Sequence, residues 1–232
     1  MSLCELGAIV NHLHLNLFCG RIKSAKMNEL IYIADPLCSW CYGFRDEVTK
    51  LKIHFADELK FSLVMGGLRP GGGEEWNDQF KQFLRHHWEQ VGERSGQLFN
   101  FELLEWAHFN YDTEPPCRAV RVVRDLSPDQ AFDFFKAVQY TFYFANKNTN
   151  KIDTYQPLCE DLGISFEKFS RHFLSTEYIE KTKEDFQFSV ALGVRGFPSV
   201  VFRTERRFGI VTRGYTDFDR MKEAVEYFQS AE

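Results

Sequence analysis

Apolar residues first gather at Leu30-Ile31-Tyr32-Ile33-Ala34, a β-branched and aromatic run closed by Asp35-Pro36, and this pattern predicts a buried strand. From Cys38 onward the period changes to three and four. Phe44, Val48, Leu51, Phe55 and Leu59 then share one face of a helix expected to run for about five turns. Residues Phe61 to Met65 read as a second strand, closed by Gly66-Gly67. A strand, helix and strand of these lengths fit a right-handed crossover into a parallel pair.

A glycine-rich joint, Gly66 to Gly73, separates that unit from about 120 residues of helical periodicity. Trp76, Phe80, Phe83, Leu84 and Trp88 mark a first face, and Leu103, Leu104, Trp106 and Ala107 a second. Further helices are expected over 119–126, 131–145, 158–162 and 166–174, the last capped by Ser165, and over 178–192 with Gly193 as the stop. After Gly193 the period becomes two. Residues 198–202 and 208–212, joined by Glu205-Arg206-Arg207, predict an antiparallel hairpin. Phe218, Met221, Val225 and Phe228 complete a last helix with Asp217 as its cap.

The order is therefore βαβ, a helical block, then ββα. It divides the chain into an α/β domain from residues 28–68 and 193–232 and an inserted helical domain over 69–192. Residues 1–27 fit neither; their basic residues follow the short apolar patch instead of preceding it, so the segment reads as a non-native or disordered tail, with Met27 as an alternative start.

The 232 residues are 44% apolar and 26% charged, enough to bury a core, and the net charge of −5 excludes an electrostatic grip on nucleic acid or an anionic membrane. No apolar run approaches the roughly 18 residues of a membrane span. The six cysteines are too few and too irregular for a disulfide framework, and only Cys38 and Cys41 sit close together.

Cys38-Ser39-Trp40-Cys41 follows a strand directly and opens a helix, the setting in which this spacing reads as a redox centre. Two intervening residues bring both sulfurs within bonding reach at a helix start, where unpaired N–H groups favour a thiolate by about 0.3 to 1 kcal/mol exposed and up to about 2 when partly buried. Direct hydrogen bonds from the amides of Trp40 and Cys41 are expected to add to this. No second cysteine pair exists to complete a zinc site, and Cys4, His12, His14 and Cys19 match no common zinc knuckle. His86, His87 and His108 lack ligand spacing, so no metal is expected. Gly71-Gly72-Gly73 lacks the lysine and hydroxyl of a phosphate loop and reads as a hinge. Cys117 and Cys159 read as small buried hydrophobes. In Gly193-Val194-Arg195-Gly196-Phe197-Pro198-Ser199, a proline stands at a strand entry after an aromatic residue, a setting compatible with a cis bond.

Together, the strand ending Asp-Pro-Leu-Cys38-Ser-Trp-Cys41-Tyr-Gly-Phe, the large helical insertion and the Gly-Phe-Pro-Ser strand entry resemble the DsbA-type thiol-disulfide oxidoreductases. The similarity spans residues 28–229 and resembles most the cytoplasmic branch of predicted protein-disulfide isomerases related to the FrnE-like proteins. It implies a thioredoxin fold with a large inserted all-helical domain, Cys38 as nucleophile, Cys41 as resolving thiol and Pro198 in cis beside them. Ser39, Trp40 and Phe197 would then meet the substrate, Phe197 through its backbone. By the same resemblance Thr113 and Glu114, with Arg118 and Ala119, face the active centre, although Glu114 could simply cap its helix.

The implied activity is disulfide exchange on cysteine-containing proteins or small thiols and disulfides, in the cytoplasm in preference to the periplasm. No resident cofactor is expected, and glutathione is the conceivable co-substrate. Relatives of the same architecture supply two alternatives: kappa-class glutathione transferases and hydroxychromene-carboxylate isomerases bind glutathione, and another relative is a protease adaptor. Retention of both cysteines favours exchange.

Overall fold

The computed structural model describes residues 28–230, so the amino-terminal tail and the Cys4, His12, His14, Cys19 arrangement lie outside the described residues. Four strands make one mixed sheet: β1 (Glu29–Ala34), β2 (Lys60–Met65), β3 (Ser199–Arg203) and β4 (Phe208–Arg213), in the order β2-β1-β3-β4. β1 is parallel to β2, pairing Tyr32 with Leu63, and antiparallel to β3, pairing Tyr32 with Val200. As an interior strand it is buried along its whole length, which explains why its sequence is continuously apolar from Leu30 to Ala34. β3 and β4 form the expected hairpin, whose turn is closed by the Thr204 amide donating to the Arg207 carbonyl at 2.9 Å.

Helices fill both gaps in the sheet connectivity. α1 (Ser39–Gly43) and α2 (Arg45–His54) link β1 to β2. Between β2 and β3 run α3 (Asp78–Ser95), α4 (Glu114–Leu126), α5 (Ala131–Tyr143), α6 (Gln156–Asp161), α7 (Phe166–Phe173) and α8 (Thr176–Ala191), and α9 (Phe218–Ser230) ends the chain.

Four expectations need correction. The single five-turn helix after Cys38 is two helices, broken at the fully buried Phe44 (φ −81°, ψ −7°), and it stops at His54, with Phe55 and Leu59 buried from the following turns. The break lets α1 lie against α3, where a Cβ on Gly43 would meet Val91 at 2.5 Å, while α2 lies against α9. Second, Leu103 to Ala107 is no α-helix but a single 3₁₀ turn, Phe101–Glu105. Third, α4 starts at Glu114, five residues early, because Pro115 and Pro116 occupy the first turn, where a missing N–H leaves no bond unmade. The cap of α9 also differs from expectation. The Phe218 amide donates to Glu47 at 2.6 Å, and Asp217 instead pairs with Arg94 at 3.0 Å.

The largest core cluster contains Tyr32, Leu63 and Val200 from the sheet together with Val120, Val123, Phe132, Phe135 and Phe169 from the helical block. Sheet and insertion therefore share one apolar interior. The outer edge of β2 is closed as well: Arg124 of α4 donates to the Leu63 carbonyl at 2.6 Å, and Asp185 of α8 accepts from the Met65 amide at 3.1 Å.

Candidate active site

Cys38 stands at the N-cap of α1 in extended conformation, 6% exposed, directly after the turn in which its amide donates to the Asp35 carbonyl at 3.1 Å. Its thiol makes no capping bond to the first amides of α1, contrary to the expected contribution from Trp40 and Cys41. It turns the other way, donating to the Phe197 carbonyl at 3.6 Å. Geometry explains the choice: the Phe197–Pro198 peptide is cis and brings the residue 197 carbonyl against the sulfur. The proline itself is buried and fixes the start of β3, its own carbonyl accepting from the Gly214 amide at 2.7 Å.

Cys41 lies one turn on, with no exposed surface and 3.4 Å from Cys38. Burial pushes its thiol well above the ordinary range, and the neighbouring Cys38 pushes in the same direction, while a hydrogen bond from the Asp35 main chain pulls the other way. Cys38, Cys41, Cys117 and Cys159 are all free thiols.

Asp35, just ahead of the motif, carries a fully buried carboxyl. It accepts from the Leu37 amide at 2.8 Å, the Leu68 amide at 2.6 Å and the Cys117 thiol at 3.4 Å, and Thr113 is a further partner. Burial raises the Asp35 carboxyl, against the pull of those donors. One side chain thus ties the cysteine turn, the exit of β2 and the start of α4.

The same geometry places the remaining expected residues. Ser39 and Trp40 are half-buried at the rim, and Trp40, Phe197, Tyr215 and Gly214 line an open groove of about 680 Å³ whose other wall is Gln90, Glu93 and Arg94 of α3. Trp40 meets the Tyr215 ring edge-on at 6.0 Å, and Arg94 stacks over Tyr215 at 5.0 Å. Thr113, expected to meet substrate, has no exposed surface; its hydroxyl accepts from the Arg69 amide at 3.0 Å and belongs to the Asp35 cluster. Glu114 begins α4 and pairs with Arg118 at 3.2 Å, so neither it nor Thr113 lines the groove.

Sequence reasoning missed Asp35, Gly66 and Tyr215. A Cβ on Gly66 would meet the Phe197 ring at 2.0 Å, so glycine is required there for that ring to seat. An acidic residue three positions before the first cysteine was the available signal for Asp35; nothing local marks Tyr215, which arrives from beyond β4. No group of three or more metal-ligating side chains stands together among the described residues.

The thioredoxin family profile matches residues 31–223. Among solved structures, a provisionally named protein disulfide isomerase from Nitrosomonas europaea is 30% identical, with a TM-score of 0.83 over 89% of this chain and 100% of that one. The cytosolic disulfide reductase DsbM from Pseudomonas aeruginosa shares the fold at 21% identity and a TM-score of 0.68, over 88% of this chain and 98% of that one. A curated relative, the ClpXP adapter protein SpxH of Halalkalibacterium halodurans, is 20% identical over 189 residues. That match covers 78% of this chain and 60% of the relative's length.

Proposed function

Because the chain belongs to the thioredoxin family, in its DsbA-like oxidoreductase group with a helical insertion, we propose that it exchanges disulfides through Cys38 and Cys41. The observation that carries this reading is the meeting of three elements at one point: a near-surface sulfur at a helix N-terminus, a second cysteine 3.4 Å from the first, and the carbonyl ahead of a cis-proline 3.6 Å in front.

The Cys38 thiolate attacks one sulfur of a client disulfide, and the other sulfur departs as a thiolate. The Phe197 carbonyl holds the client's extended main chain beside the new mixed disulfide, with the Trp40 and Tyr215 rings as an apolar floor. Cys41, once deprotonated, attacks Cys38 and releases the client as a dithiol, leaving the pair oxidised. A small thiol such as glutathione restores the dithiol. Run in reverse, the same steps oxidise a client, and alternation of the two isomerises one. The expected setting is the cytoplasm.

Trapping tests this. Cys41→Ala should accumulate cysteine-containing proteins disulfide-linked to Cys38, and recovery of glutathione alone would instead favour a transferase-like role. The likeness to an adapter supports a second reading in which the groove holds a client without chemistry. Cys38→Ser separates the two, since exchange vanishes in that variant and adapter delivery does not.

A further inference from the structure

Tyr32 lies in the middle of β1 with no exposed surface, its ring packed against Phe44, Phe61, Phe132 and Phe135 at centroid separations of 5.9 to 6.4 Å. None of these rings offers a polar atom, and the Tyr32 hydroxyl is a buried oxygen with no hydrogen-bond partner. Cys41 and Cys38 lie in the same buried cluster, and their sulfurs raise the phenol, so they are the polarisable groups beside it. An unpaired hydroxyl in an aromatic core is a cost that phenylalanine would avoid at the same volume. A neutral thiol is a weak acceptor, whereas a thiolate is a strong one.

We propose that Tyr32 is a stationary hydrogen-bond donor to the Cys41 thiolate, serving the second half of the exchange described above and resting on that reading. In the mixed disulfide, Cys38 is bonded to a client sulfur and Cys41 is a thiol. Cys41 gives up its proton to solvent and its thiolate bonds to the Cys38 sulfur. The Cys38–client bond breaks, and the client sulfur leaves with the electron pair and takes a proton from solvent. Cys41 is oxidised and the client sulfur reduced, so electrons and protons balance. Tyr32 holds its own proton throughout, because burial and the adjacent sulfurs keep the phenol well above its usual range. In the reverse direction the same hydroxyl steadies Cys41 as the leaving group. Around Cys41, Cys38 and the Asp35 carboxyl charge oppose a negative charge while the Asp35 main chain favours it by a hydrogen bond, which leaves the Tyr32 hydroxyl as the side-chain donor able to add to that support.

The test is Tyr32→Phe, which keeps the ring. A preformed mixed disulfide between Cys38 and 5-thio-2-nitrobenzoate is resolved by Cys41 with release of a coloured thiolate. Resolution is expected to slow by roughly 10- to 100-fold, the loss of one hydrogen bond to a charged group, while alkylation of Cys38 by iodoacetamide stays within about twofold. In a Cys38→Ser background, thiolate absorbance should show the Cys41 midpoint rising by about one unit or more. An unchanged resolution rate, or an unchanged midpoint, overturns the proposal. Should Tyr32→Phe fail to fold, 3,5-difluorotyrosine placed at position 32 retains the ring and donates more strongly; the Cys41 midpoint should then fall, and a midpoint that holds or rises overturns the proposal. The titration needs no client, so its outcome stands apart from whether the wild-type protein exchanges disulfides at all.

Discussion

The Arg124 guanidinium and the Asp185 carboxylate meet in a two-pronged pair, at 2.7 and 2.8 Å, directly over the open edge of β2, and each also takes one main-chain group of that strand. An edge that would otherwise present free donors and acceptors is thereby closed by two helices of the insertion. With little solvent around the pair, removing Asp185 strands the Arg124 charge, and removing Arg124 leaves Asp185 only the longer Arg121 contact at 3.6 Å. Arg124→Ala should lower unfolding stability by about 3 kcal/mol and promote self-association. Urea melts and sedimentation would check both effects, and a variant as stable and monodisperse as wild type would contradict this account of the edge.

Gly66→Ala bears on the site itself. The new methyl would lie 2.0 to 2.2 Å from the nearest atoms of the Phe197 ring, whose carbonyl faces Cys38. The ring must move and carry its backbone with it. Exchange measured by insulin reduction should fall about tenfold or more, because displacements near 1 Å at a reacting centre carry such penalties. Overpacking costs about 1 to 3 kcal/mol, so the fold should persist at 25 °C.

Asp35 sets a pH dependence whose sign follows from its burial. Its folded-state carboxyl titrates above the ordinary aspartate range. Below that range both folded and unfolded chains hold the proton and this group has no effect. As pH rises through the ordinary value toward the folded one, the unfolded chain loses its proton first, so the contribution to stability falls across that window and the full penalty persists above it. Asp35→Asn should flatten this decline. It should also cost about 1 to 3 kcal/mol at every pH, since an amide cannot accept from Leu37, Leu68 and Cys117 together. Urea midpoints between pH 4 and 8 for both proteins would reveal parallel curves if the idea is wrong.

Thiol reactivity gives a direct reading of the site. Burial raises the thiols of Cys41, Cys117 and Cys159, the last to about 12, and none of the three has exposed surface. Among the described cysteines, brief iodoacetamide treatment at pH 7 should therefore label Cys38 alone, located by peptide mass spectrometry, with the other three appearing only in denaturant. Early labelling of Cys117 would show that the Asp35 cluster opens readily.

Much of this was legible in the chain. The continuous apolar run of β1, the two-residue cysteine spacing at a helix start and the aromatic-proline strand entry each carry a local physical signal, and each of those elements forms. The misreadings came where tertiary packing overrode a local pattern. Phe44 kept perfect helical spacing while its backbone broke the helix, because α1 and α2 seek different partners. The periodicity places a helix only from residue 119, whereas Pro115-Pro116 form the first turn of α4. Thr113 was assigned to substrate because its segment does approach the centre; it reaches the Asp35 carboxyl from inside. Tyr32 was read only as strand hydrophobicity, since nothing in a sequence reveals that a hydroxyl has been left without a partner.

The register of β1 against β3 has a consequence for how this protein comes into being. Glu29 pairs with Arg203, and Cys38 reaches Phe197, across almost the entire length of the described chain. The sulfurs leave the ribosome well before the proline loop that completes their surroundings, since Phe197 is translated 159 residues after Cys38. Until then the nascent polypeptide carries the Cys38–Cys41 pair without the carbonyl that Cys38 meets, so the pair's surroundings vouch that β3 has been made and has docked on β1.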